Sequence, residues 1–400
     1  MRRDRRAKMP IDVLLINPPP GPGTVVDRQG ASGLGVIHPR RRRRPLPPHT
    51  LTQVGATVRS LGLSVAAIDL TRESPRRLHA LLDRVAVVAG IFVSQKTLAT
   101  DLEFIASLRQ RIEPQQVLPF GISTWFHIEE LRRQSRGGPV LVGEPESRFG
   151  HAALYLAGRA PAPPTGLLLD GEQPRGELHQ LFVSDLDELP IPAWELLGRR
   201  WRELPLYASR GCYQSCRLCP HSVAQGVQVR GRAPANVAAE MQTLARRFGT
   251  RHFVFLDPAF GADPIRTLEL CREIRGRRVK ATWSCASRPD ALPVDLLGRM
   301  AEAGCREVRI ELDTLDPQLL VRFGRIPDIR EHEFFRERVE IFVKTALRLG
   351  IHPQVTILDG LPGQMQGDVD ATARFARSLG VRRIRITHHV HYPAVQALGT

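Results

Sequence analysis

The sequence contains no run approaching the roughly 18 apolar residues that a membrane-spanning helix needs, so no membrane span is expected. Its arginine-rich start, MRRDRRAKMP, leads into a short strand-like stretch interrupted by Asp12 instead of a signal-peptide core. Both readings point to the cytoplasm. A disulfide framework is missing too: of six cysteines in 400 residues, Cys271, Cys285 and Cys305 are scattered singly, as small apolar fillers are. Lysine is nearly absent. With only Lys8, Lys96, Lys280 and Lys344, the net charge of +16 comes almost wholly from arginine spread along the chain. No basic helix with interleaved aromatics and no nucleic-acid module accompanies that charge, so nucleic acid is not expected as a partner. The length, with 42% hydrophobic residues, allows two ordinary domains with their own cores.

What is present centres on residues 207–221, YASRGCYQSCRLCPH. Cys212, Cys216 and Cys219 stand there at C-x3-C-x2-C spacing, on a loop after a short apolar run. Three thiolates so placed can clamp one metal centre. A cubane of four irons held by three cysteines leaves one iron open to the amine and carboxylate of a small molecule. Structural zinc, with His221 as a fourth ligand, is the other reading of the same residues. The spacing, with the apolar Leu218 before the last cysteine, resembles the radical S-adenosylmethionine (SAM) superfamily. That resemblance implies a 4Fe-4S cluster on Cys212, Cys216 and Cys219 that passes one electron to bound SAM, cleaving it to methionine and a 5'-deoxyadenosyl radical.

Ahead of the loop, apolar runs at 11–16, 64–69, 87–93, 116–120 and 139–142 alternate with helix-like segments near 50–62, 75–84, 100–112 and 127–135. The alternation predicts an α/β fold, a Rossmann-like doubly wound sheet. Ligands on such sheets bind beyond the carboxyl ends of the strands, which nominates Asn17, Ser94, Gly121, Gly143 and Glu144. The first connection, about thirty residues from Pro18 to Pro48, is long enough to be functional or disordered. Its run Arg40 to Arg44 reads as a solvated block of like charge in preference to a phosphate grip.

NPPP at 17–20, PLPPHTL at 45–51, Ile68-Asp69-Leu70, Gly90 with Ser94, and VGEPE at 142–146 together resemble the cobalamin-binding domain that precedes many radical SAM domains. The resemblance spans residues 11–155 and implies cobalamin at the strand ends. The Asp-x-His-x-x-Gly motif that supplies an axial histidine in other cobalamin proteins is absent, which implies histidine-free coordination. A Rossmann-like domain without a ligand is the alternative.

Residues 156–204, with Pro161, Pro163, Pro164 and Gly166, read as a linker. Within it LDELPIPAWEL at 186–196 resembles the segment joining the two domains, and Trp194 with Pro190 and Pro192 is expected to pack it against the barrel that follows. From 205 to 395, strands near 206–210, 252–257, 281–285, 307–312, 354–359 and 382–387 alternate with helical periodicity near 235–248, 263–275, 292–303, 333–349 and 367–379. Six such units predict a partial (β/α)6 barrel, open at one side, with function at the carboxyl ends of its strands.

By resemblance, Asp257 after strand two meets the SAM amino group. Ser287 and Arg288 after strand three meet its carboxylate or ribose, Glu311 on strand four bonds the ribose hydroxyls, and Asp359-Gly360-Leu361-Pro362-Gly363 makes the family's Gly-x-Pro-Gly turn. The plainer alternative pairs Glu311 and Asp257 with arginines such as Arg230 or Arg309, as surface carboxylates are commonly paired. His388, His389 and His391 follow strand six within reach of a substrate, where imidazole can shuttle a proton.

The implied function is a cobalamin-dependent radical SAM enzyme, a methyltransferase acting on an unactivated carbon of a natural-product or metabolite substrate, small or carrier-bound. SAM would serve twice, as methyl source and as radical source, with electrons from a donor such as flavodoxin or ferredoxin. Cyclisation, ring contraction or oxidation on the same scaffold is one rival, and a zinc-stapled binding module is another. A methylthiolating enzyme is disfavoured, since no second cysteine triad is found.

Overall fold

The computed structural model describes residues 9–39, 45–108, 110–214, 216–217, 219 and 221–389. The run Arg40 to Arg44, Leu218 and His391 lie outside the described residues. The chain divides into two compact units, Met1–Arg199 and Arg200–Thr400.

In the first unit the order is β1 (Ile11–Asn17), β2 (Thr24–Asp27), β3 (Val36–Pro39), α1 (His49–Ser60), β4 (Val65–Asp69), α2 (Pro75–Leu82), β5 (Val85–Phe92), α3 (Leu98–Leu108), β6 (Val117–Phe120), α4 (Ile128–Ser135), β7 (Val140–Leu141), α5 (Phe149–Leu156) and β8 (Leu167–Leu168). Four strands form a parallel sheet in the order β4-β1-β5-β6. A strand covered on both faces must be apolar at nearly every position, and β1 is buried everywhere except Asp12. Leu51, Val54 and Val58 of α1 and Phe149, Ala152 and Ala153 of α5 pack on one face; Leu78 of α2, Ile105 of α3 and Leu131 of α4 pack on the other. The sheet is therefore doubly wound. Gly90 of β5 lets α5 approach, because a β-carbon there would stand 2.5 Å from the Phe149 ring.

Three local expectations are corrected. The run at 139–142 does not join the parallel sheet; β7 pairs antiparallel with β8, because the chain returns alongside it and Val142 N donates to Gly166 O. Within the long first connection, β2 and β3 form an antiparallel hairpin from Thr24↔Pro39 to Asp27↔Val36. The 186–196 segment packs on the first unit: Ala193 N donates to Thr52 O, Gln53 to Pro190 O, and the Trp194 ring meets His49 edge-on at 5.9 Å.

The second unit runs β9 (Glu203–Leu206), β10 (Ser209–Arg210), α6 (His221–Gln225), β11 (Arg230–Gly231), α7 (Pro234–Phe248), β12 (His252–Phe255), α8 (Pro264–Gly276), β13 (Thr282–Ser287), α9 (Leu296–Glu302), β14 (Cys305–Asp313), α10 (Pro317–Arg322), α11 (His332–Arg348), β15 (His352–Asp359), α12 (Asp368–Ser378) and β16 (Arg383–His388). Its six-stranded sheet is parallel throughout, in the chain order β9-β12-β13-β14-β15-β16. That is the strand succession of a partial (β/α)6 barrel. Strand one begins at Glu203 instead of 206. It holds Pro205, which an edge strand tolerates because one side has no ladder to satisfy. Phe255, Phe260 and Trp283 pack with ring centroids 4.9–5.3 Å apart, and the Trp283 indole donates to Ala303 O at 2.8 Å.

Candidate functional site

The cysteine loop leaves the carboxyl end of β9 and closes on itself. β10 and β11 pair antiparallel across its base, and Cys212 N donates to Gly226 O at 3.0 Å. Gly211 at the bend is obligatory: its φ is +89°, and a β-carbon would lie 2.1 Å from Gln228 O. Groups from neighbouring elements bolt the base down. Asp257 accepts from Ala208 N at 2.9 Å and Ser209 Oγ at 2.6 Å, and Arg266 Nη2 donates to Ala208 O at 2.6 Å.

Asp257 is 3% exposed, and burial pushes its carboxyl up from 3.8 to about 6, against its hydrogen bonds and the nearby Arg266. The sign follows. Between those two values the folded chain keeps a proton that the unfolded chain has released, so this carboxyl favours folding less as pH rises from about 4 through about 6. Relative to Asp257→Asn, the wild type is expected to lose stability between pH 4 and pH 7, by up to ~3 kcal/mol. Urea unfolding of both chains at the two pH values measures it. A pH-independent difference would mean that the carboxyl titrates alike in the folded and unfolded chains.

Cys212 and Cys216 are buried and Cys219 partly so. Burial and the neighbouring Cys216 and Cys212 push Cys219 up to about 12, and burial with Cys216 raises Cys212 too, which places the three together. Two guanidiniums oppose that trend. Arg288 Nη1 donates to Cys216 Sγ at 2.7 Å, and the Arg325 charge lowers both Cys212 and Cys219. Such a nest suits metal-bound thiolates: metal displaces the protons that burial retains, and the arginines offset the resulting negative charge.

The nominated residues fall around this loop with altered duties. Arg288 donates Nε and Nη2 to Asp290, Nη2 also to Arg325 O, and Nη1 to Cys216, so one N–H of five is left. A two-pronged grip on a SAM carboxylate would require Arg288 to give up at least one of those bonds. Ser287 spends its hydroxyl hydrogen on Phe260 O at 2.7 Å. Glu311 lies near His221, whose imidazole is pushed down by burial against the pull of that carboxylate. Gly360 and Gly363 take φ +76° and +84°, and Arg322 donates to Pro362 O. His388 is exposed beside Asp359, and His389 N donates to Asp359 O. Cys271, Cys285 and Cys305 are buried, with the Cys285 and Cys305 thiols in contact.

Sequence reasoning missed Asp290, Asp313 and Arg325. Asp313 ends β14 after a register shift, in the left-handed region at φ 60°, and pairs with Arg325. A non-glycine residue held there is strained. The only signal was an aspartate closing the strand four run, two places beyond Glu311.

In the first unit Asn17 and Ser94 join one buried network at the carboxyl ends of β1, β4 and β5. Asn17 donates to Asp69 at 2.7 Å and accepts from Arg28 at 3.0 Å; Arg28 pairs with Asp101 at 2.5 Å, and Asp101 accepts from Ser94 N and Thr97 Oγ1. Arg28 enters from the inserted hairpin, and its buried Nε has no hydrogen-bond partner. An N–H left over at a strand-end mouth fits a ligand rich in amide carbonyls, as cobalamin is. Gly121, at φ +121°, lies against Val93 O. Gly143 and Glu144 turn to the following segment instead: a β-carbon on Gly143 would meet Leu181 at 2.4 Å, and Glu144 accepts from Val183 N at 2.6 Å.

Comparison with known proteins agrees with this geometry. The sequence profile of the Radical SAM superfamily matches residues 206–376. The uncharacterized methyltransferase PH0819 of Pyrococcus horikoshii is 26% identical over 228 residues, 56% of this chain and 48% of that protein. The chain thus spans about half the length of the curated relatives it matches. Among solved structures, the radical SAM methyltransferase TsrM of Kitasatospora setae, with tryptophan and a SAM analog bound, superposes with a TM-score of 0.74 at 20% identity, covering 94% of this chain and 72% of that one. The cobalamin-dependent SAM radical enzyme OxsB, with aqua-cobalamin and SAM bound, gives 0.64 at 17% identity, covering 98% and 55%. At these identities the likeness shows the fold. The profile match runs from the end of β9 into α12, over the cysteine loop and five of the six strand ends around it, so the second unit carries the radical SAM signature on the face that bears the cysteines.

Proposed function

We propose that the protein is a cobalamin-dependent radical SAM methyltransferase acting on an unactivated carbon of a small-molecule or carrier-bound substrate. One observation carries this reading: a single solved fold spans 94% of the chain, both units included, and a structure of that fold holds cobalamin and a [4Fe-4S] cluster. When bound, these groups and SAM supply a 5'-deoxyadenosyl radical and a transferable methyl group. The chain's own residues position and shield. Cys212, Cys216 and Cys219 hold iron as thiolates, Arg288 and Arg325 offset their charge, and Asp257 fixes the loop from below. Glu311 faces the loop with a carboxylate available to ribose hydroxyls. Asn17, Ser94 and Gly121 shape the cobalamin mouth, with Arg28 as donor. Electrons come from a donor such as flavodoxin or ferredoxin. None of the described helices is long and apolar enough to cross a membrane, and a cytoplasmic location is part of the proposal.

Anaerobic reconstitution with iron, sulfide, SAM and hydroxocobalamin tests it. S-adenosylhomocysteine is expected alongside 5'-deoxyadenosine. Deoxyadenosine alone would favour the cyclising or oxidising rival, and neither product from iron-replete protein would overturn the reading. Glu311→Gln is expected to weaken SAM binding by about tenfold to a hundredfold without loss of iron, since a hydrogen bond to a charged group contributes roughly 1.5–3 kcal/mol. Unchanged SAM affinity in that variant would return Glu311 to a structural role.

A further inference from the structure

The amino ends of β12, β13 and β14, opposite the face that carries the cysteine loop, frame a cavity of about 560 Å³. Its lining is cationic: Arg251, Arg275, Arg278, Lys280 and Arg306 surround it, and Glu302 is its one acidic residue. That carboxylate is already taken, by Arg275 at 2.7 Å and Arg299 at 3.3 Å. Two of the five cations have ordinary duties at helix ends, where positive charge meets unpaired carbonyls. Arg275 sits in the last turn of α8, and Arg306 donates to Ala301 O and Cys305 O. Arg251, Arg278 and Lys280 have no carboxylate partner among the described residues.

Arg278 adds a second observation. After α7, α11 and α12 the left-handed residue is glycine: Gly249 at φ 70°, Gly350 at 72° and Gly380 at 91°. After α8 it is Arg278, at φ 51°. An L side chain is strained there, and this position holds an arginine where glycine would relieve the backbone. The strain falls on the rim of the cavity.

We infer that this cavity binds a small metabolite carrying a di- or triphosphate and recognises it through those phosphates. Its volume is that of a small-molecule site. Guanidinium forks match phosphate oxygens in pairs, and several uncompensated positive charges so close together call for a densely charged anion. The lining offers no aromatic ring for a base to stack on, so the phosphates dominate recognition over any attached group.

The probe is inorganic tripolyphosphate, titrated by calorimetry into the full chain as purified, with orthophosphate and a short single-stranded RNA in parallel. One site per chain is expected. Arg278→Gly and Lys280→Gln should each weaken it about tenfold or more, while Arg246→Gln, on the exposed side of α7, leaves it unchanged. Arg278→Gly suits its backbone position, so the ligand-free melting temperature should hold or rise, separating lost binding from lost folding. No binding at millimolar tripolyphosphate overturns the inference. So does an equal loss in Arg246→Gln, which marks diffuse attraction to a basic surface, or RNA that binds more tightly and is indifferent to Arg278→Gly.

Discussion

A chain with Cys212, Cys216 and Cys219 all replaced by alanine is expected to purify colourless and to cleave no SAM, while Cys271→Ala stays brown and active. The contrast rests on surroundings, since all four thiols are at least partly buried. The three loop thiols face one another and two guanidiniums, an arrangement that accommodates their anionic, metal-bound form. Cys271 lies in α8, where burial and the neighbouring Cys305 push its thiol up to about 12, so it remains a neutral filler. Iron content, visible absorption and 5'-deoxyadenosine formation after anaerobic reconstitution give the result. Wild-type protein that carries stoichiometric zinc and no iron after anaerobic purification would overturn the cluster assignment.

Arg28→Met is expected to destabilise the first unit by about 3–5 kcal/mol, because it leaves the Asp101 carboxylate buried without its counter-charge. Burial already pushes the Asp101 carboxyl up in spite of Arg28, so removal of the arginine leaves little to hold it ionised. Adding Asp101→Asn should recover a large part of the loss: the amide carries no charge and its oxygen still accepts from Ser94 N or Thr97 Oγ1. Urea unfolding of the full chain, followed by a probe in the first unit, tests both variants. A loss below about 1 kcal/mol would show that water reaches the pair. Hydroxocobalamin retention should fall with Arg28→Met, in line with the docking of the inserted hairpin on the end of β1 and on α3 through Arg28, and on the turn before α3 through Lys96 N to Leu34 O.

Most strands could be placed to within a few residues because a doubly covered parallel strand has to be apolar along its length, as β1 and β5 are. The three cysteines were legible for a related reason: ligands that close a small loop must be near neighbours in sequence. Other features depend on contacts between distant segments. Arg325 matters because it meets Asp313 and the thiols at once, and Asp313 because a register shift turns its backbone left-handed; neither leaves a periodic trace. Arg28 was hidden by composition, since in a chain with 57 lysines and arginines no pattern singles out the one at the centre of a buried network. Gly143 and Glu144 were legible as strand-end residues, but their engagement with Leu181 and Val183 was not, because that segment reads as a linker.

The closure at the base of the cysteine loop sets an order for biosynthesis. Ala208, which anchors the start of the loop, is held by Asp257 and Arg266, both translated well after Cys219. A ribosome adding about 5–20 residues per second therefore exposes all three thiols for several seconds before their support has been made. During that interval the nascent chain presents flexible, unprotected sulfhydryls, at their most vulnerable to oxidation. Iron delivered then would find ligands without a frame. Productive loading has to wait for α8, so the metal centre matures only after that helix has been made, and the yield of active protein becomes sensitive to oxygen during synthesis as well as during purification.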